Sequence, residues 1–166
     1  RAGRVFLSAR HGLKPVAVAW FSAATQPAHV NVVFSTDSGE TFGDAVSIDE
    51  GKAIGRVDVE WFDDHRAIVS WMEGAKIKAS VVHTDGTKET PFTIAESSEA
   101  RSSGFPQMTR SGNQLVFAWT DDSEKRIKAA SVNLNNIMKH LFAGLFLSLA
   151  ACSGPKEKES APASAE

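Results

Sequence analysis

The chain has 166 residues, 42% of them hydrophobic, with a formal net charge of −2. That is enough apolar length for a packed core, and the near-balance of charge excludes the basic surface that nucleic-acid binding requires. Cys152 is the single cysteine, which excludes an internal disulfide framework, and His11, His65 and His83 lack metal-ligand spacing, so neither a metal site nor a cofactor is expected.

Read from Arg1, which has no initiator Met or leader before it, the sequence is expected to begin partway through a longer protein. It then runs through three similar units. The first opens with a Gly-led strand at 3–7 (Gly-Arg-Val-Phe-Leu) and a turn at His11-Gly12. An apolar strand at 16–21 ends in Trp20-Phe21, and an alternating strand follows at 28–34. After the polar loop 35–42 comes a fourth strand at 44–49. Short β-branched runs between turn formers read as buried strands.

The second unit repeats this order: a Gly-led strand at 55–59, a turn at Asp63-Asp64-His65, and an apolar run at 67–72 containing Trp71. Strands at 75–83 and 90–95 follow. A third unit has its Gly-led strand at 104–108, a turn at Ser111-Gly112-Asn113, an apolar run at 115–120 with Trp119, and a strand at 125–132. It shows no fourth strand. The Trp residues are 51 and 48 apart, and each lies 15 to 17 residues after its leading Gly.

Four antiparallel strands repeated at about fifty residues is the period of a β-propeller blade. The expected fold is therefore all-β, a partial propeller of about three four-stranded blades over 1–136. A β-sandwich would explain the alternation but not the repeated Gly-to-Trp spacing. Whole propellers use about 4–8 blades, so a fourth strand for the last unit is expected from elsewhere in the protein, and the outer blade edges are an aggregation hazard when exposed.

The loop Ser35-Thr36-Asp37-Ser38-Gly39-Glu40-Thr41-Phe42 is the most distinctive local motif. Asp37 can accept backbone N–H groups just ahead, Gly39 tolerates positive φ, Ser35 and Thr41 add hydroxyls, and Phe42 is expected to fold back as an apolar plug. The pattern S-x-D-x-G-x-T-F resembles the Asp-box of sialidases and related propellers, where it forms the hairpin between the third and fourth strands of a blade. The second unit keeps an Asp-Gly turn at Asp85-Gly86 but not the box. The resemblance implies a scaffold and, in sialidases, an arginine triad, a Tyr nucleophile and an acid. The chain contains no Tyr, which speaks against the standard sialidase chemistry.

Alternation along 56–60 puts Arg56, Asp58 and Glu60 on one face. Charges on a buried strand are costly unless paired or functional. One reading is a channel-facing ligand site, with Arg56 for a carboxylate and the acids for proton transfer; the other is an ion network that orients neighbouring blades. Arg101, ahead of the third Gly-led strand, either reaches the channel mouth beside Arg56 or is a loop arginine.

From residue 138 the composition changes. A basic start at Lys139-His140, an apolar run at 141–149 and Leu149-Ala150-Ala151-Cys152 resemble a bacterial lipoprotein signal peptide with its lipobox, Cys152 being the lipidated residue. Residues 137–152 are expected to be helical and 153–166 a disordered linker. Such a leader in mid-chain reads as the start of a second protein fused to the first; a membrane anchor would need about 20 apolar residues, and an amphipathic helix would need a polar face.

Together these features give an exported propeller at the periplasm or cell envelope that recognises a glycan or an envelope protein. Contact with a membrane would come only through Cys152. The alternative is an exo-sialidase-type glycoside hydrolase whose catalytic groups lie largely outside the chain.

Overall fold

The computed structural model describes residues 5–9, 15–100 and 102–137. Arg101, the lipobox with Cys152 and the polar tail lie outside the described residues. Among the described residues eleven strands form three antiparallel sheets. The first sheet is β1 (Val5–Ala9), β2 (Val16–Ser22), β3 (His29–Ser35) and β4 (Val46–Ser47), in that order. The second is β5 (Ala53–Trp61), β6 (Arg66–Glu73), β7 (Lys76–His83) and β8 (Phe92–Glu96). The third contains β9 (Gly104–Ser111), β10 (Gln114–Asp121) and β11 (Arg126–Asn133). Each strand pairs with the next in sequence, so every sheet is a meander. The expected fourth strand of the first unit shortens to two residues, because residues 41–45 after the turn form no strand.

The three repeated tryptophans share one register. Trp20 lies opposite Asn31, Trp71 opposite Lys78 and Trp119 opposite Lys128. Two apolar cores result, and both are between sheets. Ala17, Ala19, Val30 and Val32 of the first sheet pack on Val57, Val69 and Trp71 of the second. Ile68, Met72, Ile77 and Val81, on the other face of the second sheet, pack with Leu115, Phe117 and Trp119 of the third. The second sheet is thus covered on both faces, which is why every residue of β6 after Arg66 is buried while β2 and β10 alternate.

Leu134 and Ile137 begin a helical turn after β11 and are buried in the second core. The apolar segment expected to follow it lies outside the described residues. No helix among the described residues is long and apolar enough to cross a membrane.

The loop between β3 and β4 is organised as its sequence predicts, with one exception. Ser35 Oγ donates to Asp37 Oδ1 at 2.7 Å and accepts from Gly39 N at 2.8 Å. Thr41 donates through N and Oγ1 to the two oxygens of Asp37, at 2.9 and 2.5 Å. Ser38 and Gly39 take left-handed backbone, φ 67° and 92°. These donors, Ser35 first and then Thr41, hold the Asp37 carboxyl well below the usual carboxylate range. Phe42 does not plug the blade. It is 47% exposed, because the loop is closed by polar bonds and by Gly43 N donating to Phe34 O.

Candidate functional site

The second and third sheets meet through their first strands, and the head of each strand carries the same backbone device. Gly55-Arg56 and Gly104-Phe105 are consecutive left-handed pairs, with φ 95° and 60° in one and 82° and 55° in the other. The β5–β6 and β9–β10 registers shift at these points, so both are bulges. A bulge re-aims the side chain it carries, and left-handed backbone at a non-glycine residue costs on the order of 1–3 kcal/mol. Here the two re-aimed side chains meet. Arg56 Cζ lies 4.8 Å from the Phe105 ring centroid, and Nη2 donates to Ala100 O at 2.8 Å.

Gly104 makes this approach possible. A Cβ there would stand 3.0 Å from Arg56 Nη1 and 3.1 Å from Met72 Sδ. Burial pushes the Arg56 guanidinium down from its ordinary value, yet an arginine remains charged at neutral pH. Phe21, Ile54, Arg56, Phe105, Pro106 and Gln107 surround a groove of about 130 Å³. Ile54 and Phe105 are exposed on its rim, at 36% and 44%.

Antiparallel connectivity fixes where this groove sits. The starts of β5 and β9 share an end with the β6–β7 and β10–β11 turns, whereas the β3–β4 loop with Asp37 lies at the opposite end of its sheet. A second hollow, of about 320 Å³, lies beside the β10–β11 turn. Its charges are already paired: Lys125 Nζ is 2.8 Å from Asp122 Oδ1, and Lys128 Nζ is 2.6 Å from Asp121 Oδ2. Lys128 above all holds Asp121 well below the ordinary carboxylate range.

Arg56, Asp58 and Glu60 share a face, but among the described residues they form no ion network. Asp58 turns to the next sheet. Its Oδ2 accepts from Met108 N at 2.7 Å and its Oδ1 from Val59 N at 2.9 Å. Burial is the largest influence on this carboxyl and pushes it up, against those two donors. Glu60 Oε1 accepts from Trp61 N at 2.9 Å. The Met108 N–H lies on the unpaired edge of β9, where a buried donor without a partner would be costly, so Asp58 completes that edge. Arg110 answers from β9, donating through Nη1 to Trp61 O and Phe62 O at the end of β5. Side-chain-to-backbone bonds running in both directions therefore clasp the two strands. Arg101 lies outside the described residues; its neighbour Ala100 is held against Arg56.

Two buried acids central to the structure were not singled out from sequence. Glu73, 6% exposed, accepts Glu50 N at 2.9 Å and Lys52 N at 3.0 Å through Oε1, and Trp71 Nε1 at 3.0 Å through Oε2. It ties the segment entering the second sheet to that sheet's central strand. Asp49 does similar work before β5, accepting Val30 N at 2.7 Å and Gly51 N at 2.9 Å. A signal existed for Glu73: an acid stands two residues after the strand Trp in both Trp71-Met72-Glu73 and Trp119-Thr120-Asp121. No group of three or more His, Cys, Asp or Glu among the described residues is placed to hold a metal ion.

No family model and no curated protein matches the chain. Solved structures do. The xylan β-1,4-xylosidase of Bacillus halodurans C-125 superposes with a TM-score of 0.56 at 10% identity, over 79% of this chain and 28% of its own. A mutant of the GH43 protein BlXynB from Bacillus licheniformis gives a TM-score of 0.55 at 12% identity, with the same two coverages. Both have the five-bladed β-propeller fold. The chain spans 28% of the length of these structures. At such identities the likeness concerns the fold, and with the three stacked meanders it establishes that this chain is a partial β-propeller.

Proposed function

We propose that the chain is part of a carbohydrate-recognising propeller, with the Arg56–Phe105 groove as its ligand-facing site. The observation that carries this reading is the groove itself. Two strained bulges place an exposed aromatic ring, a part-buried guanidinium and the Gln107 amide around one concavity. A sugar offers apolar C–H faces to such a ring and hydroxyls to such donors, and a planar guanidinium suits a sugar carboxylate. The structural neighbours named as a xylosidase and a GH43 protein support a carbohydrate ligand. The Ser35–Phe42 loop, at the other end of its blade, is read as a sialidase-type Asp-box with a scaffolding role.

Binding without turnover is favoured by the state of Asp58, whose two oxygens already hold backbone N–H groups. Export to the cell envelope, a leader over 137–152 lipidated at Cys152 and a linker over 153–166 complete the proposal, on the strength of the lipobox-like sequence.

Calorimetric titration of the full chain with xylotetraose, an aldouronic xylan fragment and sialyllactose tests it. Saturable binding to at least one sugar, weakened about tenfold by Phe105→Ala and by Arg56→Ala, is expected. Absence of binding across the panel would sink the reading. Release of xylose or sialic acid by the chain, abolished in folded Asp58→Asn, would replace it with a hydrolase.

A further inference from the structure

The walls of the Arg56–Phe105 groove come from all three sheets: Phe21 from the first, Ile54 and Arg56 from the second, and Phe105, Pro106 and Gln107 from the third. Arg56 is the one charged residue among those that line it. Other arginines of the chain meet acceptors close by. Arg66 pairs with Asp63 and Arg126 with Glu124, while Arg110 spans the carbonyls of Trp61 and Phe62. Arg56 differs. Among the described residues no carboxylate pairs with it, and its contacts are the Phe105 ring and Ala100 O.

The donor count of the guanidinium shows what is left for a ligand. An arginine has five N–H donors. Nη1 is buried without a partner, and Nη2 gives one hydrogen to Ala100 O. The Nε hydrogen and the second Nη2 hydrogen remain, and donors of this kind suit the two oxygens of a carboxylate. A part-buried cation with no internal counter-charge is costly unless an anion is supplied from outside. Gln107 Nε2 donates to Pro106 O at 3.1 Å, which leaves its Oε1 to accept from a hydroxyl.

Size limits the anion. A cavity of about 150 Å³ holds one benzene ring, so the groove, at about 130 Å³, has room for one six-membered ring and no long side arm. Phe21, Ile54 and Pro106 give that ring apolar walls for its C–H faces.

We propose that the groove selects a single hexuronic acid residue, its carboxylate on Arg56, a ring hydroxyl on Gln107 and its C–H face on the Phe21–Ile54 wall. The inference rests on the carbohydrate reading of the groove and names the class of sugar. It separates uronates from neutral sugars, which leave Arg56 without an anion, and from sialic acid, whose glycerol and N-acetyl arms exceed the space.

Calorimetric titration of the full chain with methyl glucuronide, its neutral methyl ester, methyl xyloside and N-acetylneuraminic acid provides the test. The glucuronide is expected to bind about tenfold or more tighter than the other three. In Arg56→Gln its affinity should fall to about that of the methyl ester. Arg56→Lys, which keeps the charge and loses the fork, should retain part of the preference; near-ultraviolet circular dichroism checks that both variants fold. Equal binding of the glucuronide and its methyl ester would overturn the uronate inference and leave the sugar site standing. So would a preference that survives in folded Arg56→Gln, or tighter binding of N-acetylneuraminic acid. Absence of binding by all four compounds and by the longer sugars named above would overturn the carbohydrate reading and this inference with it.

Discussion

Arg56 of β5 lies over the ring of Phe105 of β9, and each residue sits second in a Gly-led pair with left-handed backbone. The two bulges turn them toward one point, and Gly104, lacking a Cβ, leaves room for the Arg56 guanidinium and the Met72 thioether. The relationship joins two sheets and forms one wall of the groove.

Gly104→Ala therefore tests both roles. It is expected to destabilise the protein by about 1–3 kcal/mol, through a residue with a Cβ at positive φ and contact with Arg56 and Met72. Gly39→Ala is the control, because φ is 92° there but no atom lies within 4 Å of the added Cβ. Urea unfolding should rank Gly104→Ala as the more costly of the two; equal losses would show that the contact with Arg56 contributes nothing.

Glu73→Ala is expected to cost about 3 kcal/mol or more, since it leaves two backbone N–H groups and the Trp71 indole N–H without their acceptor in a buried site. Glu73→Asp should fall between. The third sheet already has the shorter acid at this place, Asp121, and there the buried Trp119 Nε1 has no partner among the described residues. Tryptophan fluorescence during unfolding would follow both variants.

The clasp between β5 and β9 predicts a loss of about 1–3 kcal/mol for Asp58→Ala, which strands the Met108 N–H, and a similar loss for Arg110→Ala, which removes the charged donor shared by the Trp61 and Phe62 carbonyls. Hydrogen exchange at Met108 should accelerate in Asp58→Ala. Unchanged exchange there would mean that the Asp58–Met108 bond does not protect the edge.

Asp37 and Asp58 are displaced in opposite directions, so pH separates them. Asp37 is depressed by Ser35 and Thr41. Its contribution to stability is present above the unfolded value of about 3.9 and is lost as pH falls toward the folded value. Asp58 is raised, chiefly by burial. Its protonated form favours the fold, a contribution present below about pH 3.9 and lost as pH rises through the higher folded value. Melting temperatures across about pH 2–7 should show a shallower acid limb in Asp37→Asn and a smaller decline with rising pH in Asp58→Asn.

Phe42→Ser is expected to change stability by no more than about 0.5 kcal/mol, as for an exposed position outside any packed contact. A loss of 2 kcal/mol or more, on the order expected for emptying a core position, would restore the plug role that the motif suggests.

The sequence by itself determined the blade pattern, because strand alternation, turn residues and the Gly-to-Trp spacing are local signals that survive without knowledge of neighbours. It also determined the bonding of the 35–42 loop, whose donors and acceptors all come from a few adjacent residues. Tertiary structure alone decided what faces what. Alternation placed Arg56, Asp58 and Glu60 on one face, but only the packing of β5 against β9 showed that Asp58 completes a strand edge while Arg56 reaches Phe105. The left-handed backbone at Arg56 and Phe105 was not legible, since neither residue type signals it. Nor was the convergence of Glu73 with Trp71 and the backbone of Glu50 and Lys52, which the pairing of β5 with β6 at Ala53 and Glu73 brings together. A side chain's partners across a sheet interface depend on register and twist summed over whole strands, and no short stretch of sequence contains that sum.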